Sequence, residues 1–259
     1  MNIVGIIPAR IGSSRFPGKP LAEILGKAMI YHVYYRSKMA KVLSEVYIAT
    51  CDNEIEKYCL DNNMKVVMTK DTHQRASDRA FEAAQKIEKL EGQKIDIVVM
   101  IQGDEPMLFP EMIEESIKPF FSDKTIQVAN LMSKINSREE QDDPNSIKVV
   151  VDENSFALYF SRQPIPYWKK EIKEPPVFKQ VCIIPFKRDF LAKFSALSSG
   201  PLEILESIDM LRVLEHGYKV KMVLTQFQTH SVDTPFDLQR VESLMEKDSL
   251  VAKYSGSTA

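Results

Sequence analysis

Residues 3–20 read Ile3-Val4-Gly5-Ile6-Ile7-Pro8-Ala9-Arg10-Ile11-Gly12-Ser13-Ser14-Arg15-Phe16-Pro17-Gly18-Lys19-Pro20. The first five are an apolar run short enough to be a buried strand. The rest is a loop with three cations (Arg10, Arg15, Lys19), two hydroxyls (Ser13, Ser14), two glycines and no acid. Its backbone N–H groups and cations suit an anion, and its glycines let a ligand approach the main chain. A loop of this kind at the carboxyl end of a strand is the cradle of a polyphosphate, and it points to a bound nucleotide. An ordinary basic surface loop is the plainer alternative. The order of the prolines around the cations speaks against it.

Outward from this loop, strand-like and helix-like segments alternate. Met29 to Ala40 reads as a helix, Val46 to Thr50 as a strand, Asp52 to Asn62 as a helix and Val66 to Met68 as a strand. Ser77 to Leu90 is helical, with an apolar stripe of Ala80, Ala83, Ala84, Ile87 and Leu90. Ile95 to Ile101 is near-continuously apolar, as a strand covered on both faces is. This rhythm predicts an α/β fold with a doubly wound, mostly parallel central sheet. The second half is less regular. Strands are expected at Ile147–Val151, Ala157–Ser161, Cys182–Phe186 and Val220–Thr225. Helices are expected at Arg188–Leu197, Pro201–Glu215 and Pro235–Met245. Trp168 to Lys173 reads as a solvated loop or a dimer-contacting arm, and the tail from Tyr254 as frayed.

The totals set limits. The 259 residues suit one domain, residues 1–259, with an acceptor and dimerisation subregion at roughly 128–200. A net charge of −2 leaves no global basic field for nucleic acid. No apolar stretch is long enough to span a membrane, and the chain enters its first strand without a secretory leader. Cys51, Cys59 and Cys182 are too scattered for a metal site and are expected to be reduced and mostly buried. A cytoplasmic protein is expected.

Three further segments carry chemistry. Gln102-Gly103-Asp104-Glu105-Pro106 follows the long strand, where ligands of open α/β sheets bind. Asp104 is placed to hold a divalent cation and Gln102 to offer an amide, although Gly, Asp and Pro also make turns. In Val232-Asp233-Thr234-Pro235-Phe236-Asp237, Thr234 as N-cap, Pro235 and Asp237 start the last helix. Asp233 is then left for a second metal position. Arg162 ends the apolar segment Ala157 to Ser161. It suits a carboxylate or phosphate, or is a surface arginine.

The first loop is neither a Walker P-loop nor a G-x-G-x-x-G turn. It resembles the G-x-x-R-x-x-x-x-P-K signature of sugar nucleotidyltransferases. The strings PARIGSSRFPGKPL, IQGDEP, DDPNSIKVV, ALYFSRQPIP, PLEILE, LRVLEHG and VDTPFDL, in that order, resemble the 3-deoxy-manno-octulosonate cytidylyltransferases, or CMP-Kdo synthetases, over nearly the whole chain. The resemblance implies a homodimeric enzyme that uses Mg²⁺ to transfer CMP from CTP to a 3-deoxy-ulosonic acid, activating a precursor of lipopolysaccharide or a surface polysaccharide. It implies that Arg10, Ser13 and Lys19 hold the triphosphate, with Pro8, Ala9 and Gly12 lining the nucleotide. Asp78 and Arg79 would read the base, and Gln102 would touch nucleotide and sugar. Asp104 and Asp233 would ligate Mg²⁺, so that Arg10, Lys19, Asp104 and Asp233 form the catalytic set. Arg162 would pair with the sugar carboxylate, and Glu203 and Glu206 would face its hydroxyls.

Two departures stand out. Arg75-Ala76-Ser77-Asp78-Arg79 replaces the family's Ser-Gly-Thr-(Asp/Glu)-Arg, losing a glycine. Gln180 and Ile184 stand where the family places a His and a Tyr at the acceptor, and are expected to bind it here. The implied reaction is attack of the anomeric hydroxyl on the α-phosphorus of CTP, with pyrophosphate leaving. No general base is evident, since His32, His73, His216 and His230 lie outside these motifs. The acceptor therefore stays open: Kdo, 8-amino-Kdo, another nonulosonic acid or a phosphonate. A non-catalytic nucleotide-binding module is disfavoured by the two retained carboxylates. A nicotinamide oxidoreductase is disfavoured by the missing fingerprint glycines.

Overall fold

The computed structural model describes residues 1–12, 16–169, 171–173, 175–228 and 230–255. They fall into two compact units, residues 1–114 with 229–259, and residues 115–228.

The first unit opens with β1 (Ile3–Pro8), a 3₁₀ turn at Lys19–Leu21, and a small hairpin of β2 (Glu23–Ile24) and β3 (Lys27–Ala28). Then come α1 (Met29–Lys38), β4 (Glu45–Thr50), α2 (Asn53–Asp61), β5 (Val66–Met68), α3 (Ala76–Glu91) and β6 (Ile97–Ile101). The strands lie in the order β6-β1-β4-β5 and every pair is parallel. All five residues of β6 are buried, and so are the first five of β1. The chain runs from β1 to one side, through β4 and β5, then returns to β6 on the other side. The order therefore reverses at β1, and the crevice of such a sheet lies beyond the carboxyl ends of β1 and β6.

α3 buries Ala80, Ala83, Ala84 and Ile87, as its stripe predicts. Leu90 does not join them. It is exposed on the last turn, just before Gly92 ends the helix at φ 65°.

The second unit follows α4 (Pro110–Ser122), which the sequence reading passes over, as it does β7 (Ala129–Lys134). Its other elements are α5 (Arg138–Asp142), β8 (Lys148–Val151), β9 (Ala157–Ser161), β10 (Phe178–Val181), β11 (Ile183–Lys187), α6 (Arg188–Ser195), α7 (Pro201–Glu206), α8 (Asp209–Glu215) and β12 (Lys221–Leu224). Five strands pair in the order β12-β7-β10-β8-β9, and only β12 with β7 is parallel. The single strand expected at Cys182–Phe186 is two strands interrupted at Cys182, so Gln180 lies on β10 and Ile184 on β11.

The helix expected over Pro201–Glu215 is likewise two. Ser207 takes a left-handed φ of 55° and ends α7. The reason is electrostatic. Glu203 and Arg212 pair across nine positions, which an unbroken helix would hold about 13.5 Å apart. The break lets α8 fold back and bring the guanidinium to the carboxylate.

The chain returns to the first unit with α9 (Pro235–Met245) and α10 (Val251–Ser255). Thr234 and Asp237 form the capping box that starts α9. Tyr254 corrects the expectation of a frayed end, for it is 2 % exposed. Its hydroxyl accepts from Arg36 Nε at 3.1 Å and meets His32 Nδ1 at 2.9 Å. His32 Nε2 faces the Ile24 carbonyl at 2.8 Å and must donate to it. The imidazole is therefore the neutral form with Nδ1 accepting from Tyr254. Arg36 Nη2 closes the cluster on Asp248 at 2.5 Å. Beside it Ile24, Met29, Val232, Val241 and Met245 form an apolar cluster that also packs Phe16 and Met107. The C-terminal helices thereby brace the segments that carry the first loop and the Asp104 turn.

Among the described residues no helix is long and apolar enough to cross a membrane. Cys51, Cys59 and Cys182 are free, but only Cys59 is fully buried, and burial pushes its thiol up to about 12.

Burial holds the His32 imidazole below its ordinary value, against the pull of the Ile24 carbonyl. Its contribution to stability is whole above pH ~6.5 and is lost as the pH falls toward the folded-state value. Tyr254→Phe strands Arg36 Nε and His32 Nδ1, and is expected to lower the unfolding free energy in urea by about 1–3 kcal/mol. Unchanged stability would show that α10 does not brace the fold.

Candidate active site

β1 ends at Pro8, where Ala9 N donates to the Ala49 carbonyl at 2.9 Å. The loop then leaves the sheet. Ile11 N donates to Asp52 Oδ2 at 2.8 Å, and Gly18 N donates back to the Ile11 carbonyl at 3.1 Å, which closes the loop. Gly18 has a φ of 73°, a conformation that favours glycine, and it turns the chain so that Lys19 begins the 3₁₀ turn.

Lys19 Nζ donates to Asp104 Oδ2 at 2.8 Å, to the Val232 carbonyl at 2.9 Å and to Asp233 Oδ1 at 3.3 Å. Val232 N in turn donates to the Asp104 carbonyl at 2.9 Å. Three distant stretches of sequence thus meet at one ammonium. Burial by itself would lower the Lys19 pKa, but Asp104 first and Asp233 second reverse this and leave it raised. The cation is fixed by its two anions.

The carboxylates have capacity to spare. Asp104 Oδ1 is buried and takes no hydrogen bond from the described residues. An anionic oxygen in that position is costly unless something positive meets it. Two carboxylates suit Mg²⁺, which takes one or two protein oxygens and fills its shell with water and phosphate oxygens. Among the described residues no three His, Cys, Asp or Glu side chains gather as a protein-only metal cage.

The other nucleotide-side residues fall into place around this centre. Ala9 is buried, Pro8 and Gln102 are half-buried, and Arg10 and Gly12 are exposed on the loop. Ser13, with Ser14 and Arg15, lies outside the described residues. Asp78 is half-buried in the first turn of α3. Arg79 is a correction. It is 3 % exposed, and its Nη1 donates to Thr69 Oγ1 at 2.5 Å and the Lys70 carbonyl at 3.4 Å. Its guanidinium holds the 69–70 turn instead of facing a base. Glu82 holds the same turn from the next helical level. It accepts from Lys70 N at 3.0 Å, meets His73 Nε2, and pairs with Lys86 at 2.8 Å. Burial opposes ionisation there, but the hydrogen bonds from Lys86, His73 and Lys70 N carry the Glu82 carboxyl down to about 2.

The acceptor-side residues form a second constellation, within the second unit. Arg162 Nε donates to the Glu206 carbonyl at 2.7 Å and Nη1 to the Pro144 carbonyl at 2.8 Å. Glu206 does not present a bare carboxylate. Its Oε1 accepts from Ser161 Oγ at 2.7 Å and its Oε2 from Arg162 N at 2.8 Å. Gln180 is half-buried, with Nε2 donating to Asn130 Oδ1 at 2.5 Å. Two expectations are overturned. Glu203 is fully buried in a two-pronged pair with Arg212, at 2.7 and 2.6 Å, under the Phe194 ring. Ile184 is 3 % exposed and belongs to the core, because the first four residues of β11 are all buried. Neither side chain faces a ligand.

Sequence reasoning missed two residues that shape this constellation. Lys148, fully buried, donates to the Asp143 carbonyl at 2.9 Å and the Arg162 carbonyl at 2.5 Å. Burial lowers its pKa, with Asp143 opposing. Asn130, also fully buried, holds Gln180. Each is a polar residue inside an apolar strand run, and that is the signal that finds them.

A family model described as cytidylyltransferase matches residues 4–251. A 3-deoxy-manno-octulosonate cytidylyltransferase of Geobacter metallireducens is 41 % identical over 251 residues, covering 93 % of this chain and 96 % of the relative. This chain belongs to that family of cytidylyltransferases. An 8-amino-3,8-dideoxy-manno-octulosonate cytidylyltransferase of Shewanella baltica is equally similar, 41 % over 249 residues, covering 96 % of this chain and all of the relative. The solved structure of a CMP:2-keto-3-deoxy-manno-octonic acid synthetase complexed with CTP superposes with a TM-score of 0.85 at 37 % identity, covering 95 % of this chain and 99 % of that one. The cytidylyltransferase fold explains why the reversal at β1 and the Lys19 junction coincide: the crevice and the charged centre are one place.

Removing one member of a buried ion pair costs about 3–5 kcal/mol. Glu203→Ala is therefore expected to lower the thermal midpoint by more than about 6 °C. An unchanged midpoint with a raised acceptor KM would return Glu203 to the acceptor site.

Proposed function

We propose that this cytidylyltransferase transfers CMP from CTP to a 3-deoxy-manno-octulosonic acid, the 8-hydroxy or the 8-amino form, and releases pyrophosphate. The observation that carries the reading is the convergence of the post-β1 loop, the post-β6 turn and Val232-Asp233 on Lys19 Nζ. That convergence is what a nucleoside triphosphate with its cation requires: a mobile positive charge, two carboxylates and an exposed loop of backbone donors.

Asp104 and Asp233 would hold Mg²⁺, and the buried Asp104 Oδ1 supports this. The bound ion supplies positive charge at the α-phosphate. The remaining work belongs to the chain. Arg10 and Lys19 bind the β- and γ-phosphates and stabilise the leaving pyrophosphate. Pro8, Ala9, Gly12 and Ser13 line the nucleotide, and Asp78 and Gln102 orient it. Arg162 takes the acceptor carboxylate, and Glu206 positions Arg162 by holding its backbone N–H. The acceptor hydroxyl attacks the α-phosphorus in line, and catalysis rests on positioning and charge. The whole chain acts as one nucleotidyltransferase domain in a homodimer. Exposed Leu158, Ile204 and Leu205 on the second unit support a buried contact with a second copy.

The test is pyrophosphate release with CTP, Mg²⁺ and each ulosonic acid. Turnover is expected with at least one acceptor, and its absence with both would reject the reading. Asp104→Ala and Asp233→Ala are each expected to lose at least about 100-fold in kcat with the fold intact by circular dichroism, in line with removal of a group that stabilises transition-state charge. Substantial activity with ordinary Mg²⁺ dependence in either variant would remove that carboxylate from the metal site. Lys19→Ala is expected to impair CTP use while acceptor KM stays near the parent value.

A further inference from the structure

Gln180 departs from its family, and the structure shows which way its amide faces. The argument starts at Asn130, which is fully buried on β7. Its Nδ2 lies 3.0 Å from the Leu131 carbonyl and 2.6 Å from the Val181 carbonyl. Carbonyls only accept, so this end of Asn130 has to be the NH₂ group, and the other end has to be the oxygen. Asn130 Oδ1 then demands a donor, and Gln180 supplies Nε2 at 2.5 Å. The orientation of one buried amide thus fixes the next. With Nε2 committed to Asn130, Gln180 turns its Oε1 away from Asn130. That oxygen takes no hydrogen bond from the described residues, and the side chain is only half-buried.

Ionic neighbours do not alter this polarity. Strand alternation sends Lys179 to the opposite face, where it pairs with Glu140 at 2.6 Å. The residue across the β7 ladder from Gln180 is Met132.

We propose that Gln180 is a specificity-determining residue that offers the acceptor a bare carbonyl oxygen and so reads a hydrogen-bond donor on it, a hydroxyl or an ammonium. This rests on the acceptor reading given above. A histidine at this position could donate one ring nitrogen to Asn130 and accept with the other, but only while neutral. Protonation would turn the outer nitrogen into a donor. Glutamine gives the same pattern of one inner donor and one outer acceptor at every pH in the working range. Asn130 is a positioning residue for it.

The experiment measures acceptor KM, kcat and CTP KM for the parent enzyme, Gln180→Met and Gln180→His. The acceptors are 3-deoxy-manno-octulosonate and its 8-amino-3,8-dideoxy analogue. Gln180→Met keeps the volume and removes the acceptor oxygen. Its acceptor KM is expected to rise about 3- to 10-fold where a hydroxyl is read, and more than about 10-fold where an ammonium is read. CTP KM should stay within about 2-fold of the parent, since a merely structural role would shift both substrates. A greater loss on the amino analogue assigns the contact to the ammonium, and an equal loss to a hydroxyl common to both. Gln180→His supplies the second readout. Relative to the parent, its acceptor kcat/KM is expected to fall as the pH is lowered through about 6.5. An unchanged acceptor KM in Gln180→Met, or a Gln180→His profile parallel to the parent, would overturn the proposal. No turnover by the parent with either acid would instead reject the acceptor reading on which it stands.

Discussion

The ammonium of Lys19, held between Asp104 and Asp233, is the constraint on which the donor half of the molecule depends. Two carboxylates brought together at the end of a sheet repel each other and resist burial. A cation between them removes both costs and ties the post-β1 loop to segments about 85 and 213 residues away. The surrounding architecture serves this junction. The parallel order β6-β1-β4-β5 reverses at β1, so the two loops that carry Lys19 and Asp104 emerge side by side. The apolar cluster of Ile24, Met29, Val232, Val241 and Met245 then fixes the third contributor, and α10 is locked behind it by Tyr254.

The second unit solves a different problem with buried polar groups. Arg162, Glu206, Ser161 and Lys148 are joined by hydrogen bonds to one another and to main-chain carbonyls. Such networks are rigid when every member is satisfied and costly when one is removed. Glu206 and Lys148 act on Arg162 from both sides, one through its N–H and one through its carbonyl. The two-pronged Glu203–Arg212 pair sets the bend between α7 and α8 that places Glu206 there.

Much of the first unit was legible in the sequence, because apolar runs, glycines and alternation are local signals. β5, β9 and α9 occupy the residues that pattern alone assigned. The donor loop was legible for the same reason: its cations and glycines are contiguous. The failures share another cause. Glu203 looked functional because a carboxylate is chemically conspicuous, and nothing local announces that Arg212 waits nine residues on. Arg79 and Ile184 were placed by their motif, and only tertiary packing shows that both point inward. Lys148 and Asn130 were passed over because strand patterning treats a lone polar residue as an interruption. In this fold it is a buried anchor.

The Lys19 junction makes a demand that binding can test without turnover. If the ammonium occupies the carboxylates in the nucleotide-free protein, it competes with a divalent cation for them. The most direct measurement is calorimetric titration of Mg²⁺ into the parent protein and into Lys19→Met, both without CTP. Tighter Mg²⁺ binding by Lys19→Met, by at least about 5-fold, is the predicted result. Equal or weaker binding would contradict the view that Asp104 and Asp233 are a cation site held in readiness by Lys19.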